Sequence, residues 1–319
     1  MRVLVTRRWP AEVERALSER FTTVLNETDR PLSQTELAQA MAEFDVVCPT
    51  VSDRIDAAVI GGGDRVKLIA NYGVGFDHID LAAAKAKGIA VSNTPGVLTD
   101  ATADIAMTLL LMAARRAGEG ERELRSGHWT GWRPTHLIGS ALKGKVLGLV
   151  GFGRIGTATG GRAQHGCGMK IAYFGRRVAE AAVTEELDAE FHPDLGSLLR
   201  VSDFVSLHVP GGGETASLID AEAIAAMKAG SYLVNTARGG VVDHEALGEA
   251  LRSRHLAGAG LDVYPQEPRV PAALLELENV VLLPHLGSAN DETRIAMGMK
   301  ALANVEAFAR GDALPDRVA

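Results

Sequence analysis

The chain reads VLGLVGFGRIG from Val146 to Gly156, and this segment is the strongest indication of the fold class. Its apolar first half predicts a buried strand, and glycines then follow in the G-x-G-x-x-G spacing of a turn that opens a helix: Gly151, Gly153 and Gly156. In such a turn the first glycine allows a tight bend, the second admits a pyrophosphate and the third lets the helix pack on its strand. The helix N-terminus then faces the anion.

The context strengthens this motif, which would be weak evidence alone in a glycine-rich chain. A second β-rich run, from Lys170 to Phe174, ends about twenty residues after the glycines, where the ribose-contacting residue of dinucleotide-binding folds lies. We therefore predict a dinucleotide site formed by the three glycines together with Arg154 and Ile155, which begin the helix.

The residues after this second strand indicate which dinucleotide is bound. NAD-binding proteins carry Asp or Glu here, whereas this chain has Gly175, Arg176 and Arg177. Glycine leaves room for a 2′-phosphate, and arginine offers a planar, permanently charged partner for it. The alternative is that both arginines are solvated loop charges, but their position favours a preference for NADPH over NADH.

Length and composition are those of an ordinary folded protein. The 319 residues suggest two domains, and 46% hydrophobic and 23% charged residues are typical of globular chains. The formal charge of −7 provides no basic field for nucleic acid or anionic membranes. No apolar segment is long enough to span a membrane, and the N-terminus has no signal-peptide core. We therefore predict a cytoplasmic protein. We also predict no metal site, because neither cysteine has metal-ligand spacing.

Short β-rich runs alternate with helical patterns along the chain, which predicts parallel α/β sheets. A helix predicted over residues 291–310 follows the last strand and is expected to return to the first unit. The predicted domains are therefore residues 1–98 with 288–319, which would bind substrate, and residues 99–287, which would bind the dinucleotide.

One polar, tryptophan-containing segment, Gly118 to Lys143, lacks clear periodicity. We interpret it as an arm that packs on another subunit. The expected assembly is a homodimer held through the region around residues 100–142.

Three candidate catalytic residues follow successive predicted strands: Arg238, Glu267 and His285. Because parallel strands end at the same edge of a sheet, these side chains are expected to converge near the nicotinamide. Individually, each is more often a surface or structural residue. Their joint occurrence after a phosphate-binding turn fits a hydride-transfer site, in which a cation binds a carboxylate and an acid–base group serves the neighbouring oxygen.

With these residues in place, the chain resembles the D-isomer-specific 2-hydroxyacid dehydrogenase family along essentially its whole length. The segment from Gly127 to Pro134 and the Gly175–Arg176 turn look most like the NADPH-dependent glyoxylate and hydroxypyruvate reductases of that family. The motifs that carry the resemblance are NYGVGFDHID from Asn71, GFGRIG from Gly151, NTARG from Asn235, GLDVY from Gly260 and LPHLGSA from Leu283. The resemblance implies two Rossmann-like or flavodoxin-like domains with parallel sheets and an active site in the interdomain cleft.

The resemblance also implies a mechanism. Arg238 would bind the carboxylate and keto oxygen of a 2-oxo acid, and the backbone N–H groups of Val74 and Gly75 would hold the carboxylate from the other domain. His285, as an imidazolium, would donate a proton to the substrate oxygen while hydride reaches C2, and Glu267 would hydrogen-bond the imidazole.

Further residues receive roles from the same resemblance. Asp262 looks like the residue that holds the nicotinamide carboxamide, and Thr102 and Ala237 like cofactor contacts. Trp132 would reach the active site of a neighbouring subunit. Val51 lies in the substrate-facing loop, where relatives often carry Leu or Met.

Because Val51 differs from the Leu or Met that relatives often carry, the identity of the substrate is left open. The first expectation is glyoxylate or hydroxypyruvate, giving glycolate or D-glycerate. The alternative keeps the mechanism but takes larger 2-oxo acids, namely phenyl or branched-chain acids or 2-ketogluconate. A non-catalytic dinucleotide sensor is a third alternative, which the complete set of candidate catalytic residues disfavours.

Overall fold

A computed structural model describes residues 1–319, which form two compact units. One unit comprises Met1–Leu98 and Ser288–Ala319, and the other comprises Thr99–Gly287. All strand pairings within the two sheets are parallel, which confirms the predicted fold class of two parallel α/β domains. The roles assigned to the two units stay predictions.

The first unit contains a five-stranded sheet in the order β2-β1-β3-β4-β5, the flavodoxin-like order. Its final helix packs on the first helix and on β4, and apolar residues of that helix such as Met297 and Val305 join the core around Val3 and Leu17. In chain order the elements are β1 Arg2–Val5, α1 Ala11–Arg20, β2 Thr22–Leu25, α2 Gln34–Glu43, β3 Val46–Cys48, α3 Ala57–Ile60, β4 Leu68–Ala70, α4 Leu81–Ala86, β5 Ala90–Ser92 and, at the end of the chain, α13 Asp291–Arg310.

The second unit contains a seven-stranded sheet in the order β12-β11-β10-β9-β6-β7-β8. Its elements are α5 Thr99–Ala114, α6 Ala117–Arg125, β6 Val146–Val150, α7 Arg154–Gly161, β7 Lys170–Phe174, α8 Ala181–Glu186, β8 Glu190–His192, α9 Leu195–Val201, β9 Phe204–Leu207, α10 Ala221–Ala226, β10 Ser231–Asn235, α11 His244–Arg252, β11 Leu256–Leu261, α12 Ala272–Leu275 and β12 Val280–Leu282.

The later strands add to the sheet on both sides of β6, with β7 and β8 on one side and β9 to β12 on the other. The strand order therefore reverses between β6 and β9. Ligands of open α/β sheets bind at the carboxyl ends of the strands at this kind of switch point. Gly151 follows β6, and a side chain there would meet the main-chain oxygen of His208, which follows β9, at 2.6 Å. The topology therefore places the glycine turn at the expected binding edge.

The segment from Gly118 to Lys143 contains a helix that its sequence pattern did not predict, while its role as a subunit-packing arm stays a prediction. Its first part is helix α6, although no helical period is evident in the sequence. The helix buries none of its residues, so it has no apolar stripe to reveal it. Ion pairs support it instead: Arg125 with Glu121, and Arg122 with Glu278 at 2.6 Å. No helix of the structure is long and apolar enough to cross a membrane.

Candidate active site

The glycine turn after β6 has the geometry of a dinucleotide-binding turn. Gly151 has φ +94°, a conformation that other residues rarely adopt. A Cβ at Gly156 would lie 2.2 Å from the Gly151 oxygen, so only glycine lets α7 approach the strand this closely. A Cβ at Gly153 would meet no protein atom within 4 Å. The space beside Gly153 and the first turn of α7, whose N–H groups lack intrahelical partners, fit a pyrophosphate.

The turn after β7 is open and positively charged. A Cβ at Gly175 would meet only the oxygen of Arg177, at 3.7 Å. The side chains of Arg176 and Arg177 are exposed, and neither forms an ion pair or a side-chain hydrogen bond. The position at which NAD-binding folds present a carboxylate therefore carries two available guanidinium groups.

The loop after β10 positions Arg238. Asn235 holds the loop, since its Nδ2 donates to the Arg238 oxygen at 2.9 Å and its Oδ1 accepts from the Ala237 N–H at 2.9 Å. A Cβ at Gly239 would lie 1.9 Å from the main-chain carbon of Tyr264, so glycine is required for the loop after β11 to approach. The half-buried Arg238 guanidinium donates to the Ala237 oxygen at 2.8 Å.

Glu267 and His285, which were predicted to act together, are hydrogen-bonded to each other in the structure. The His285 Nδ1 lies 2.8 Å from Glu267 Oε2, and the Tyr264 N–H donates to Oε1 at 3.0 Å. Burial acts to raise the pKa of the Glu267 carboxyl. The hydrogen bond and charge of His285, with a contribution from Arg238, outweigh it and hold that pKa below its ordinary value. The structure therefore brings Glu267 and His285 together, and the positive charge of Arg238 acts on the Glu267 carboxylate.

The backbone of His285 is held in an uncommon conformation. Its φ is +57°, in the left-handed region where non-glycine residues are infrequent and often functional. The Asp262 main chain accepts the His285 N–H at 3.0 Å. This bond fixes the loop after β12. The hydrogen bond to Glu267 occupies Nδ1, so Nε2 is the imidazole nitrogen that is not bonded to Glu267.

Asp262 is 1% exposed and anchors the next residues of that loop. Its carboxylate accepts the N–H groups of Leu286 at 2.6 Å and Gly287 at 2.8 Å, while Thr102 donates its hydroxyl to the Gly287 oxygen at 2.9 Å. Burial raises the pKa of the Asp262 carboxyl above its ordinary value. The cofactor contacts assigned to Asp262, Thr102 and Ala237 stay predictions.

In the first unit, Val74 and Gly75 belong to a turn whose main-chain oxygens are all bonded. Gly73 and Gly75 accept from the Asn71 Nδ2 at 3.0 and 2.9 Å, and Val74 accepts from Asn93 Nδ2 at 2.8 Å. The N–H groups of Val74 and Gly75 donate to no protein acceptor. Adjacent backbone N–H groups in this state form an anion-binding concavity.

Val51 lies beside this turn. Its Cγ1 is 3.2 Å from the position that a Cβ on Gly73 would take, and 38% of the residue is exposed. The loop that carries Val51 is anchored by Asp53, whose Oδ2 accepts the Thr6 hydroxyl at 2.6 Å and the Thr50 N–H at 2.8 Å. Val51 is thus an apolar side chain on a fixed loop.

Trp132 projects from the segment after α6 and is 83% exposed. Leu124 at the end of α6, and Trp129 and Ile138 after it, are also exposed by half or more. The structure does not bring Trp132 to the Arg238, Glu267 and His285 group of the same unit, and its contact with another subunit stays a prediction.

Two further polar contacts support the Gly73–Gly75 turn and the dinucleotide turn, and the sequence pattern predicts neither of them. Asn71 stands out there only as part of a motif, and His78 and His208 show no convergent partners. In the structure His78 Nε2 bonds Asn71 Oδ1 at 3.0 Å. His208 bonds Ser206 Oγ through Nε2 at 2.9 Å beneath the dinucleotide turn, and burial lowers its pKa to about 3. No spacing rule identifies either contact.

Comparison with known proteins gives consistent matches. The model of the D-isomer specific 2-hydroxyacid dehydrogenase NAD binding domain matches residues 107–287. The glyoxylate reductase of Thermococcus litoralis is 44% identical over 322 residues, covering 99% of this chain and 96% of its own.

Solved structures match over the full length. An NADPH-dependent glyoxylate/hydroxypyruvate reductase from Sinorhizobium meliloti, in complex with NADP and malonate, gives a TM-score of 0.87 at 34% identity, covering 100% of this chain and 96% of that one. The holo D-mandelate dehydrogenase of Rhodotorula graminis gives a TM-score of 0.88 at 33% identity, covering 99% and 97%.

Proposed function

Since the chain belongs to the D-isomer specific 2-hydroxyacid dehydrogenase family, we propose that it catalyses the NADPH-dependent reduction of glyoxylate and hydroxypyruvate to glycolate and D-glycerate. Membership makes it an oxidoreductase that uses a nicotinamide dinucleotide and reduces 2-oxo acids. The observation that carries the proposal is the His285–Glu267 pair at 2.8 Å, at the strand edge that also carries Arg238 and the glycine turn.

The roles of the residues follow from their chemistry. The bound dinucleotide supplies the hydride. Arg238 binds the substrate carboxylate and stabilises the charge that develops on the keto oxygen. Glu267 accepts a hydrogen bond from the Nδ1–H of His285 and so orients the ring. Nε2 is left to donate a proton to the substrate oxygen. In the reverse direction the same nitrogen accepts the proton.

Two groups of the first unit are also proposed to act on the substrate. The N–H groups of Val74 and Gly75 bind the substrate carboxylate, a role supported by their lack of protein acceptors. Val51 limits the size of the group attached to C2.

The cofactor preference rests on the turn after β7. Arg176 and Arg177 bind the 2′-phosphate, and Gly175 supplies the space for it. Their exposure and lack of carboxylate partners support this assignment. The relative from S. meliloti carries NADPH in its name and NADP in its structure.

A larger substrate is the second candidate. The observation that favours it is the likeness to a D-mandelate dehydrogenase, since mandelate is a phenyl-substituted 2-hydroxy acid. A Val51 side chain is also shorter than Leu or Met. Phenyl and branched-chain 2-oxo acids and 2-ketogluconate are therefore the substrates to compare.

The exposed apolar side chains of α6 and of the segment after it support an interface with a second copy of the chain. Trp132, Trp129, Leu124 and Ile138 expose more apolar surface than an isolated arm would keep in water. A homodimer would cover it and would bring Trp132 to the partner's active site. Sedimentation equilibrium tests this assembly, with a monomer at micromolar concentration as the contrary result.

The proposed function is tested by initial rates with glyoxylate and hydroxypyruvate, each with NADPH and NADH, beside phenylglyoxylate. Higher kcat/KM with NADPH and with the small acids would support both parts. A preference for NADH would overturn the assignment of the arginines alone. Higher kcat/KM with phenylglyoxylate would favour the second candidate, and NADPH binding without turnover of any 2-oxo acid would favour a sensor.

A further inference from the structure

We infer that Asn71 is a positioning residue of the Gly73–Gly75 turn, and that its carboxamide sets the direction of the Val74 N–H, one of the two N–H groups that bind the substrate carboxylate. The inference rests on the proposed function, since that function supplies the ligand of the turn. Asn71 itself is 1% exposed and both ends of its amide are occupied, so it acts through the turn and not by touching substrate.

The two hydrogens of one amide group hold two carbonyls of the turn. Asn71 Nδ2 donates to the Gly73 oxygen at 3.0 Å and to the Gly75 oxygen at 2.9 Å. Only the NH₂ end of the side chain can satisfy two carbonyl acceptors, so the amide orientation is determined. Oδ1 is then left to accept from His78 Nε2 at 3.0 Å, and this contact opposes a flip of the amide.

The planarity of the peptide bond converts these contacts into a direction for the N–H groups. In a trans peptide the C=O of one residue and the N–H of the next point in opposite directions. Because the Gly73 carbonyl is bound toward Asn71, the Val74 N–H must point away from it. The Gly75 N–H is directed in the same way by Asn93, which holds the Val74 carbonyl at 2.8 Å.

Asn71 and Asn93 divide this control. Asn71 directs the Val74 N–H through the Gly73 carbonyl and also anchors the end of the turn through the Gly75 carbonyl, whereas Asn93 directs the Gly75 N–H. The Gly73 carbonyl also accepts the Thr94 N–H at 3.0 Å, so the turn stays attached to the sheet when Asn71 is changed. The expected consequence of losing the carboxamide is a turn that is present but misdirected.

The experiment compares N71A and N71D with the parent enzyme and with N279A. Asn279 is a matched control, because its Nδ2 also bridges two carbonyls, those of Leu251 at 3.1 Å and Ala257 at 3.3 Å, far along the chain from the turn. N71D keeps the shape of the side chain and replaces the donor by an acceptor, so it gives a second measurement if N71A does not fold.

We expect the KM for glyoxylate to rise by about 10- to 100-fold in both Asn71 variants, the range for misplaced binding groups. The inhibition constant of oxamate, an unreactive isostere of a 2-oxo acid, should rise in parallel. The KM for NADPH should change by less than about twofold, since each buried hydrogen bond acts locally. N279A should lower the melting temperature without moving either KM.

A glyoxylate KM in N71D and N71A within about twofold of the parent value would overturn the inference while leaving the proposed function intact. The inference also fails if both KM values move together with the melting temperature, because a merely structural role would have that effect. A parent enzyme that turns over no 2-oxo acid would overturn the proposed function, and the inference with it.

Discussion

The dinucleotide turn, Gly151–Gly156, and the Gly73–Gly75 turn, called the carboxylate turn after its proposed ligand, both follow a parallel strand and both present backbone N–H groups, but they are built by different means. In the dinucleotide turn the backbone itself leaves no alternative to glycine: Gly151 has φ +94°, and a Cβ on Gly156 would lie 2.2 Å from a carbonyl oxygen. In the carboxylate turn neither glycine has positive φ, and two asparagine side chains hold the carbonyls.

This difference explains why one site can be recognised from spacing and the other cannot. Steric requirements for glycine recur at fixed intervals, because the strand and helix that impose them have fixed geometry. Side-chain amides act from positions that depend on packing. Substitutions in the two turns should therefore have different consequences.

The largest effect is expected for Gly156→Ala. Its methyl group must displace the Gly151 carbonyl, which costs about 1–3 kcal/mol of unfolding free energy as overpacking and disrupts the turn that binds the dinucleotide. Urea unfolding and NADPH fluorescence titration would measure both effects.

Gly153→Ala is the matched control. It should leave the free energy of unfolding within about 0.5 kcal/mol of the parent value, because its methyl group meets no protein atom within 4 Å, yet still weaken NADPH binding. Equal losses of stability in the two variants would contradict this interpretation of the turn.

A smaller and more selective effect is expected for the double variant R176A/R177A. Removing both guanidinium groups should raise the KM for NADPH by about 10-fold or more, the scale of a charge-assisted hydrogen bond, and leave the KM for NADH within about twofold. The KM for glyoxylate should not change, because the carboxylate turn is built separately. Steady-state kinetics would measure the KM for both cofactors. Equal changes for NADPH and NADH would show that the arginines are solvated charges without a role in cofactor preference.

The smallest effect on stability is expected for Glu267→Gln, which alters neither turn. The pKa of Glu267 is lower in the folded protein than in the unfolded chain, so its contribution to stability is present above the unfolded pKa, about 4.3, and is lost as the pH falls through the folded value. The melting temperature of the parent enzyme should therefore exceed that of E267Q at pH 6 and approach it below about pH 4. A constant difference across this range would show that the ionised carboxylate is not what stabilises the pair.

The parallel α/β class and the approach of Glu267 to His285 could be predicted from the sequence, because they depend on apolar runs and on the rule that parallel strands end at one edge. Strand β2 and helix α2 were not predicted. A signal for α2 was present, since Ser33 and Glu36 form a capping box, but a half-exposed strand such as β2 has no continuous apolar run.

The parts that could not be predicted depend on contacts without a sequence period. Helix α6 is held by ion pairs with no buried face, and one of its partners, Glu278, is distant in the chain. Asn71 contacts residues two, four and seven positions away, in a turn whose path is set by the surrounding strands. Such contacts become visible only when the turn is folded.

The central claim is that His285 supplies the proton in 2-oxo acid reduction, and the kcat of His285→Ala with glyoxylate and NADPH tests it most directly. We expect kcat to fall by about 10²–10⁴, the range for a positioned acid–base group, while the dissociation constant of NADPH stays unchanged. His255→Ala removes an imidazole that bonds the Ile224 oxygen at 3.0 Å, and this variant should keep the parent kcat. An H285A enzyme that retains the parent rate would contradict the assignment.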